Sequence, residues 1–464
     1  MAGRVEELLG KPRSAWVLGD LVALVRDQGM RLVSLLHVGA DGWLKTLDFL
    51  PSSEAHLRAI LTAGERADGS SLFAGVGISA AASDIVLRPR LETAFIHPFS
   101  PLPTLAFLCE HRGRDGALLP ESPQTIVTRA HARMLRATGV DLWAHGEVEY
   151  FLGKKAGEGD VYGRAEQGYH ATAPFVFGET LRRQAMGILG DIGVALKYAH
   201  SEVGYIEAQQ NDGRIWEQHE IELALAPLPD AADAVVLTQW VLRCLANQQG
   251  FECRLDPMLQ RGHAGSGLHF HFSPRRAGVH LDCMTPEGDV QPEAAWLIAG
   301  LVRFGASLMA YGNRVPASFE RLAHGKEVPH AITWGRFNRQ ALVRLPVLPR
   351  TEDGRSVVPA TVEFRLPDGS VHPHLLLAGV AQVMLAGREE GDIEAVLERS
   401  AGASASAATS KASTAGAVPR SFQEVAVCLA RDRDVFERDG IFPRSTLDAA
   451  LRTLGLGDAA PLSH

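Results

Sequence analysis

Three short stretches of this chain repeat reactive side chains at i and i+2 among apolar residues. Gly265-Ser266-Gly267-Leu268-His269-Phe270-His271-Phe272-Ser273 carries two imidazoles, and Glu147-Val148-Glu149-Tyr150-Phe151 carries two carboxylates. Val362-Glu363-Phe364-Arg365-Leu366-Pro367-Asp368-Gly369 carries a carboxylate and a guanidinium. In a strand, that spacing puts both members of each pair on one face. Three such strands side by side would line one concave surface with metal ligands and an anion clamp, the equipment for binding a metal–phosphate complex.

Glu147 and Glu149 lie on an otherwise apolar run. Two same-face carboxylates there repel each other and lose hydration unless a cation accompanies them; a solvated edge strand is the bland alternative. Ser201-Glu202-Val203-Gly204 and Glu217-Gln218-His219-Glu220-Ile221-Glu222 supply further carboxylates. Singly, each is an ordinary surface charge. Together with Glu363 and His269 they form an oxygen-rich donor set for two or more divalent ions, favouring Mg2+ or Mn2+ over zinc. Paired ions of that kind serve phosphoryl transfer.

The arginines are the complementary half: Arg314 in Asn313-Arg314-Val315-Pro316, Arg339 and Arg344 in Asn338-Arg339-Gln340-Ala341-Leu342-Val343-Arg344, and Arg365. An arginine inside an apolar strand is costly to bury without an anion, and its planar fork suits phosphate or carboxylate. A structural salt bridge is the competing reading for any one of them. Gly75-Val76-Gly77-Ile78-Ser79-Ala80 matches a dinucleotide-binding pattern by letter but follows the turn Asp68-Gly69-Ser70-Ser71 instead of a strand, so it is set aside. No GxxxxGK[ST] loop occurs either.

The elements that must hold these residues are legible in outline. Arg31–His37 and Trp43–Phe49 read as strands joined by the hairpin signal Gly39-Ala40-Asp41-Gly42, with a helix over Gly19–Asp27 before them. These belong to a small α+β domain over 14–118. A helix opens at Ser122-Pro123 and closes at Gly139, starting a larger domain over 119–464 in which long helices, such as Ala231–Asn247, alternate with the reactive strands. Residues 400–416 collapse to Ala, Ser, Thr and Gly and read as a mobile loop. Helical sequence resumes over Ser421–Leu454.

At 464 residues the chain exceeds one ordinary core. With 46% hydrophobic and 22% charged residues and a net charge of -8, it reads as a mildly acidic globular protein. Nothing in it offers a basic footprint for nucleic acid. The five scattered cysteines form no CxxC pair, which fits a reducing compartment. The sequence predicts neither a signal peptide nor a membrane span. A cytoplasmic protein is expected.

In chain order, these motifs resemble the glutamine synthetase family. They are the Asp-Gly-Ser-Ser turn at Asp68 with Ser83-Asp84-Ile85-Val86-Leu87-Arg88-Pro89, Glu-x-Glu, His-Ser-Glu-Val, Gln-x-Glu, Gly-Ser-Gly-x-His-x-His, Asn-Arg-x-Ala-x-x-Arg-x-Pro and Glu-x-Arg-x-Pro-Asp. The resemblance spans roughly residues 14 to 450. It implies an α+β fold: an N-terminal β-grasp domain, then a catalytic α/β domain whose antiparallel sheet carries the site. It also implies homo-oligomers of stacked rings, a dodecamer, with sites between subunits.

Carried over residue by residue, the resemblance implies one metal site at Glu149, Glu202 and Glu220, and another at Glu147, His269 and Glu363. His271, Ser273, Arg339 and Arg344 would meet ATP and its phosphates; Gly265, Arg314 and Arg365 would hold the amino acid. Asp68 would take a proton from ammonium in a neighbouring subunit's site, and Glu320 would be the flap carboxylate that excludes water. The implied activity is ATP-dependent formation of a γ-glutamyl amide through a γ-glutamyl phosphate, with glutamate, ATP and ammonia as substrates and Mg2+ or Mn2+ as cofactor.

The departures cluster around substrate. Ala264 replaces an asparagine, Thr361 replaces an arginine, Leu255-Asp256-Pro257-Met258 replaces the usual Met-Pro-Lys-Pro, about ten residues are added near Gly204–Trp216, and the flap over 316–329 is rewritten. They leave open an organic amine in place of ammonia. A catalytically silent relative and a metal-dependent hydrolase are the remaining alternatives; six retained ligands disfavour the first, and the oxygen-rich set with its arginines disfavours the second.

Overall fold

The two apolar runs around Gly39–Gly42 pair as their alternation requires, β1 (Leu32–Val38) antiparallel to β2 (Leu44–Phe49) with Val38 opposite Leu44. The computed structural model describes residues 3–157, 163–208, 213–285, 287–325, 327–402 and 416–455. With β3 (Glu65–Asp68), β4 (Asp84–Pro89), β5 (Phe95–Ile96) and β6 (Thr104–Arg112), these strands form a mixed sheet ordered β2-β1-β6-β4-β3, in which β5 also pairs with β6 and only β1–β6 is parallel. The helices Leu18–Asp27 and Glu54–Ala63 bury Leu21, Val22, Leu57 and Ile60 against Val33, Leu35, Leu105 and Phe107, closing a first core.

The helix signalled by Ser122-Pro123 runs Pro123–Thr138 and ends at Gly139, which takes a left-handed φ of 70°. Its start has a different physical basis from the one expected. The Ser122 hydroxyl caps no backbone N–H and instead bonds His111 Nδ1 at 2.8 Å, tying the helix to β6.

The second sheet has ten strands: β7 (Asp141–Lys155), β8 (Leu196–Ile206), β9 (Arg214–Leu223), β10 (Ala226–Pro227), β11 (Glu252–Arg254), β12 (Phe270–Arg276), β13 (Val279–His280), β14 (Trp334–Arg336), β15 (Val343–Leu345) and β16 (Val362–Phe364). Its main path is β14-β15-β16-β12-β7-β9-β8, antiparallel except at β14–β15; β10 and β11 pair with β7, and β13 with β12. Between Ser201 and Tyr205 the β8–β9 register shifts, because four steps along β8 match two along β9. The bulge carries Glu202.

Helices Pro123–Thr138, Leu228–Gln248, Pro292–Gly312 and Pro373–Arg388 join the large core behind this sheet. The last two cross backbone to backbone. A Cβ on Gly300 would stand 2.1 Å from the Val383 carbonyl, and one on Gly387 would stand 2.1 Å from that of Trp296. Among the described residues, Pro292–Gly312 is the one helix long and apolar enough to cross a membrane, and 83% of its apolar window is buried inside the protein. It is a core helix.

The expected helical region over Ser421–Leu454 comprises three helices, Phe422–Arg431, Arg433–Glu437 and Arg444–Thr453. Left-handed Asp439 and Gly440, then Pro443, break the run, while Phe436 and Phe442 plug the core between the pieces. Most of the expected Ala/Ser loop, 403–415, lies outside the described residues. Its flanks are clamped, with Gly402 N–H donating to Trp334 O and Gly416 O accepting from Ile332 N–H. All five cysteines are free.

Candidate active site

Strand pairing alone brings four carboxylates face to face. On β7 and β9, Glu147 stands opposite Glu222 and Glu149 opposite Glu220. Like charges directly opposite on a ladder destabilise it unless something neutralises them. The bulged β8 adds Glu202 and His200, the latter 3.5 Å from Glu220 Oε2.

On the other side of β7, β12 places His271 beside His145 and Glu363 of β16, and Glu363 lies opposite Arg344 of β15. His269 precedes β12. Three groups of side chains draw their ligand atoms within 4.8 Å of one another: Glu147, His269 and Glu363; His200, Glu202 and Glu220; Glu147, Glu220 and Glu222. The first is one of the expected trios. In the second, His200 stands where Glu149 was expected, although Glu149 lines the same cavity of about 460 Å³.

Each ligand candidate is held in a defined orientation. Glu149 Oε2 accepts from Gln218 Nε2 at 3.1 Å and from Gly267 N–H at 2.9 Å. A Cβ on Gly267 would lie 2.6 Å from His269 Nε2, so only glycine lets this backbone reach the carboxylate. His269 Nε2 lies 3.2 Å from the Arg321 guanidinium, and its Nδ1 lies 2.9 Å from Glu147 Oε2. His271 stacks on His145 with ring centroids 4.7 Å apart and bridges Glu147 Oε1 and Thr361 Oγ1, each at 2.9 Å.

The electrostatics follow from this crowding. Burial, then the neighbouring Glu202, pushes Glu149 up to about 8. Burial, then Glu147 and Glu149, pushes Glu220 well above the usual carboxylate range. For Glu147, burial is outweighed by His271 and His269, which hold it well below that range. Burial, then Arg365, lowers His269 to about 4, so it stays neutral and able to ligate. One oxygen of Glu222, which is 1% exposed, has no hydrogen-bond partner. A hard, oxygen-rich set of this kind, with one imidazole in each of two groups, fits divalent Mg2+ or Mn2+.

Arginines line the same cavity. Arg344 donates to Glu363 Oε2 at 2.8 Å and Arg365 pairs with Oε1, while Arg365 also donates to the carbonyls of Arg339 and Glu327 at 3.0 Å. Arg339 Nη1 sits 3.3 Å from the Glu327 carboxylate. Gly265 and Ala264 form part of the wall.

Three residues expected in this site lie elsewhere. Glu320, on the helix Pro316–His324, pairs with Arg261 at 2.6 Å and 2.8 Å on the outside. Arg314 lines a different cavity and donates to Asp41 O at 2.9 Å. Ser273, two residues beyond His271, bonds His280 at 2.9 Å outside the wall. Asp68, expected in a neighbouring subunit's site, is exposed on the N-terminal sheet, its carboxylate accepting from Ser70 and Ser71 and held well below its usual range by the Ser71, Ser70 and Ser83 hydroxyls.

Two residues of the neighbouring segment, Arg321 and Glu327, line the cavity. Arg321 is buried and donates to Leu366 O at 2.9 Å. Neither was singled out in the sequence, because an arginine on a short amphipathic helix and a glutamate in a loop carry no strand spacing. Glu222 did carry the signal, two residues after Glu220. Lys197, 2.6 Å from Glu222, carried none.

Residues 120–452 match the family model described as glutamine synthetase, catalytic domain. A glutamine synthetase of Thermus thermophilus is 30% identical over 334 residues, covering 68% of this chain and 69% of that protein. A solved GmaS/ADP complex superposes with a TM-score of 0.73 at 19% identity over 93% of this chain and 94% of that one. The Plasmodium falciparum glutamine synthetase gives 0.76 at 16% identity over 94% of each chain.

Proposed function

Because this chain belongs to the glutamine synthetase family of ATP-dependent ligases, we propose that its central cavity makes a γ-glutamyl amide from glutamate, ATP and a nitrogen donor, ammonia first among them. The observation that carries the reading is the convergence of crowded carboxylates and arginines on one cavity. In this reading residues 14–118 form a β-grasp domain and 119–464 the catalytic domain of a cytoplasmic ring-forming oligomer.

Glu147, His269 and Glu363 would hold one divalent ion, and Glu202, Glu220 and Glu149 with His200 the other. Bound there, the ions would neutralise the phosphates of ATP. Arg339 and Arg344 steady the transferring phosphoryl group, and Arg365 and Arg321 grip the amino-acid carboxylate. The γ-carboxylate oxygen attacks the γ-phosphorus and ADP leaves. The nitrogen donor then attacks the acyl carbon, loses a proton to a carboxylate and expels inorganic phosphate. Glu327, in the loop over the cavity, takes the water-excluding role expected of Glu320.

An organic amine is the second reading, supported by Ala264 in the wall and by the apolar surface that Tyr198, Val347 and Leu348 add beside the polar groups. Phosphate release from ATP with Mg2+ and glutamate, comparing ammonium with an amine panel and including a Glu363→Ala control, decides between them. Higher kcat/KM for ammonium establishes glutamine synthesis; release only with an organic amine establishes the second reading. No release with any donor overturns both.

A further inference from the structure

A second cavity, of about 450 Å³, lies where the β1–β2 turn meets the catalytic part of the chain. Its charged groups are unbalanced. The Asp41 carboxylate is taken by Lys45 at 2.6 Å and Trp43 N–H at 3.1 Å, and Asp256 chelates Arg254 at 2.7 Å and 3.2 Å. Arg243 and Arg314 make no carboxylate ion pair among the described residues; Asp256 and Asp41 act on them only through space. Arg314 donates to one carbonyl, that of Asp41, and Arg243 lies over the Trp43 ring, 5.0 Å from its centroid.

Both arginines are half-buried, and burial lowers the pKa of each, a cost that a bound anion would offset. The remaining wall includes Trp240, Leu44, Val236 and Val315. Two forked donors against an apolar and aromatic wall, in a volume typical of small-molecule sites, suit a carboxylate on an apolar body better than inorganic phosphate, which needs donors on more sides.

We propose that this cavity is a second ligand site, separate from the catalytic one, that binds a small organic carboxylate between Arg243 and Arg314. The two cavities share no lining residue, but hydrogen bonds connect their walls. Arg314 N–H donates to Ser370 Oγ at 2.8 Å, Arg314 lies two residues before the helix carrying Arg321, and Arg321 donates to Leu366 O in the segment leading to Ser370. A ligand on Arg314 therefore bears on the elements that place Arg321 and Arg365.

The test is calorimetric titration of the full-length protein with phenylacetate, glutarate and inorganic phosphate. Saturable binding of phenylacetate is expected, weakened at least tenfold by Arg243→Gln and by Arg314→Gln and unchanged by Glu363→Ala. Val315→Trp, which fills the cavity and leaves both arginines in place, should abolish it. Absence of saturable binding by either carboxylate, or tighter binding of phosphate, overturns the proposal. So does phenylacetate binding that survives Arg243→Gln and Val315→Trp but is lost in Glu363→Ala, because the ligand then sits in the catalytic cavity.

Discussion

Glu320 and Arg321 are consecutive residues on one helix and face opposite ways: Glu320 pairs with Arg261 at the surface, while the Arg321 guanidinium reaches 3.2 Å from His269 Nε2 inside the catalytic cavity. A step of one residue turns a helix by about 100°, enough to separate solvent from site. The pair offers an internal control for the proposed function.

Arg321→Ala should lower kcat/KM for glutamate by about 10²-fold or more, because it removes charge-assisted contacts inside a water-poor site. Glu320→Ala should stay within about twofold, its ion pair being exposed. Steady-state phosphate release checks both, and equal losses would contradict the assignment.

If Glu149 is a metal ligand, metal affinity should depend on pH. Its folded-state pKa, raised to about 8 by burial and then Glu202, lies above its unfolded value near 4.5. In the metal-free protein the carboxyl therefore costs stability progressively as pH rises from about 4.5 to 8, and divalent metal offsets that cost. After chelation, Glu149→Gln should melt several degrees higher than the parent at pH 8 and nearly with it at pH 5. Added Mn2+ should reverse the order at pH 8, as read by thermal melts.

The buried row His37–His111–Ser122, with contacts of 3.1 Å and 2.8 Å, predicts acid sensitivity where the first sheet meets the helix Pro123–Thr138. Burial, then Lys45, lowers His37 to about 4; burial, then His37, lowers His111 to about 3. Their folded pKa values lie below the unfolded value near 6.5, so stability is full above pH 6.5 and is lost as pH falls toward 3–4. Urea melts of His37→Gln should show a shallower decline between pH 6.5 and 4 than the parent.

Asp68 lies outside the catalytic cavity of its own chain. If it completes the site of a neighbouring subunit, Asp68→Ala and Glu363→Ala proteins should each be inactive, and oligomers assembled from an equal mixture should recover about a quarter of parental activity, since half the sites gain each intact partner. No recovery in verified mixed oligomers would place Asp68's role within its own chain or remove it.

The sequence by itself determined the parts of this protein that depend on period two. Glu147 and Glu149 share one face of β7, while His269 lies one residue before β12 and Arg365 one residue after β16, each still lining the same cavity as its partner two residues away. The hairpin at Gly39–Gly42 and the helix ending at Gly139 follow from turn and cap chemistry acting over a few residues. Tertiary structure decided what those local rules do not reach. Which carboxylates oppose one another was set by the β7–β9 register, and the β8 bulge brought Glu202 and His200 to Glu220. The rotation of the helix Pro316–His324 chose Arg321 over Glu320, and a loop contact chose Glu327. Arg314 reads in sequence as a substrate arginine but lies beside the β1–β2 turn, where it donates to the Asp41 carbonyl. Spacing along a chain fixes which face a side chain takes; the packing of distant segments fixes what that face meets.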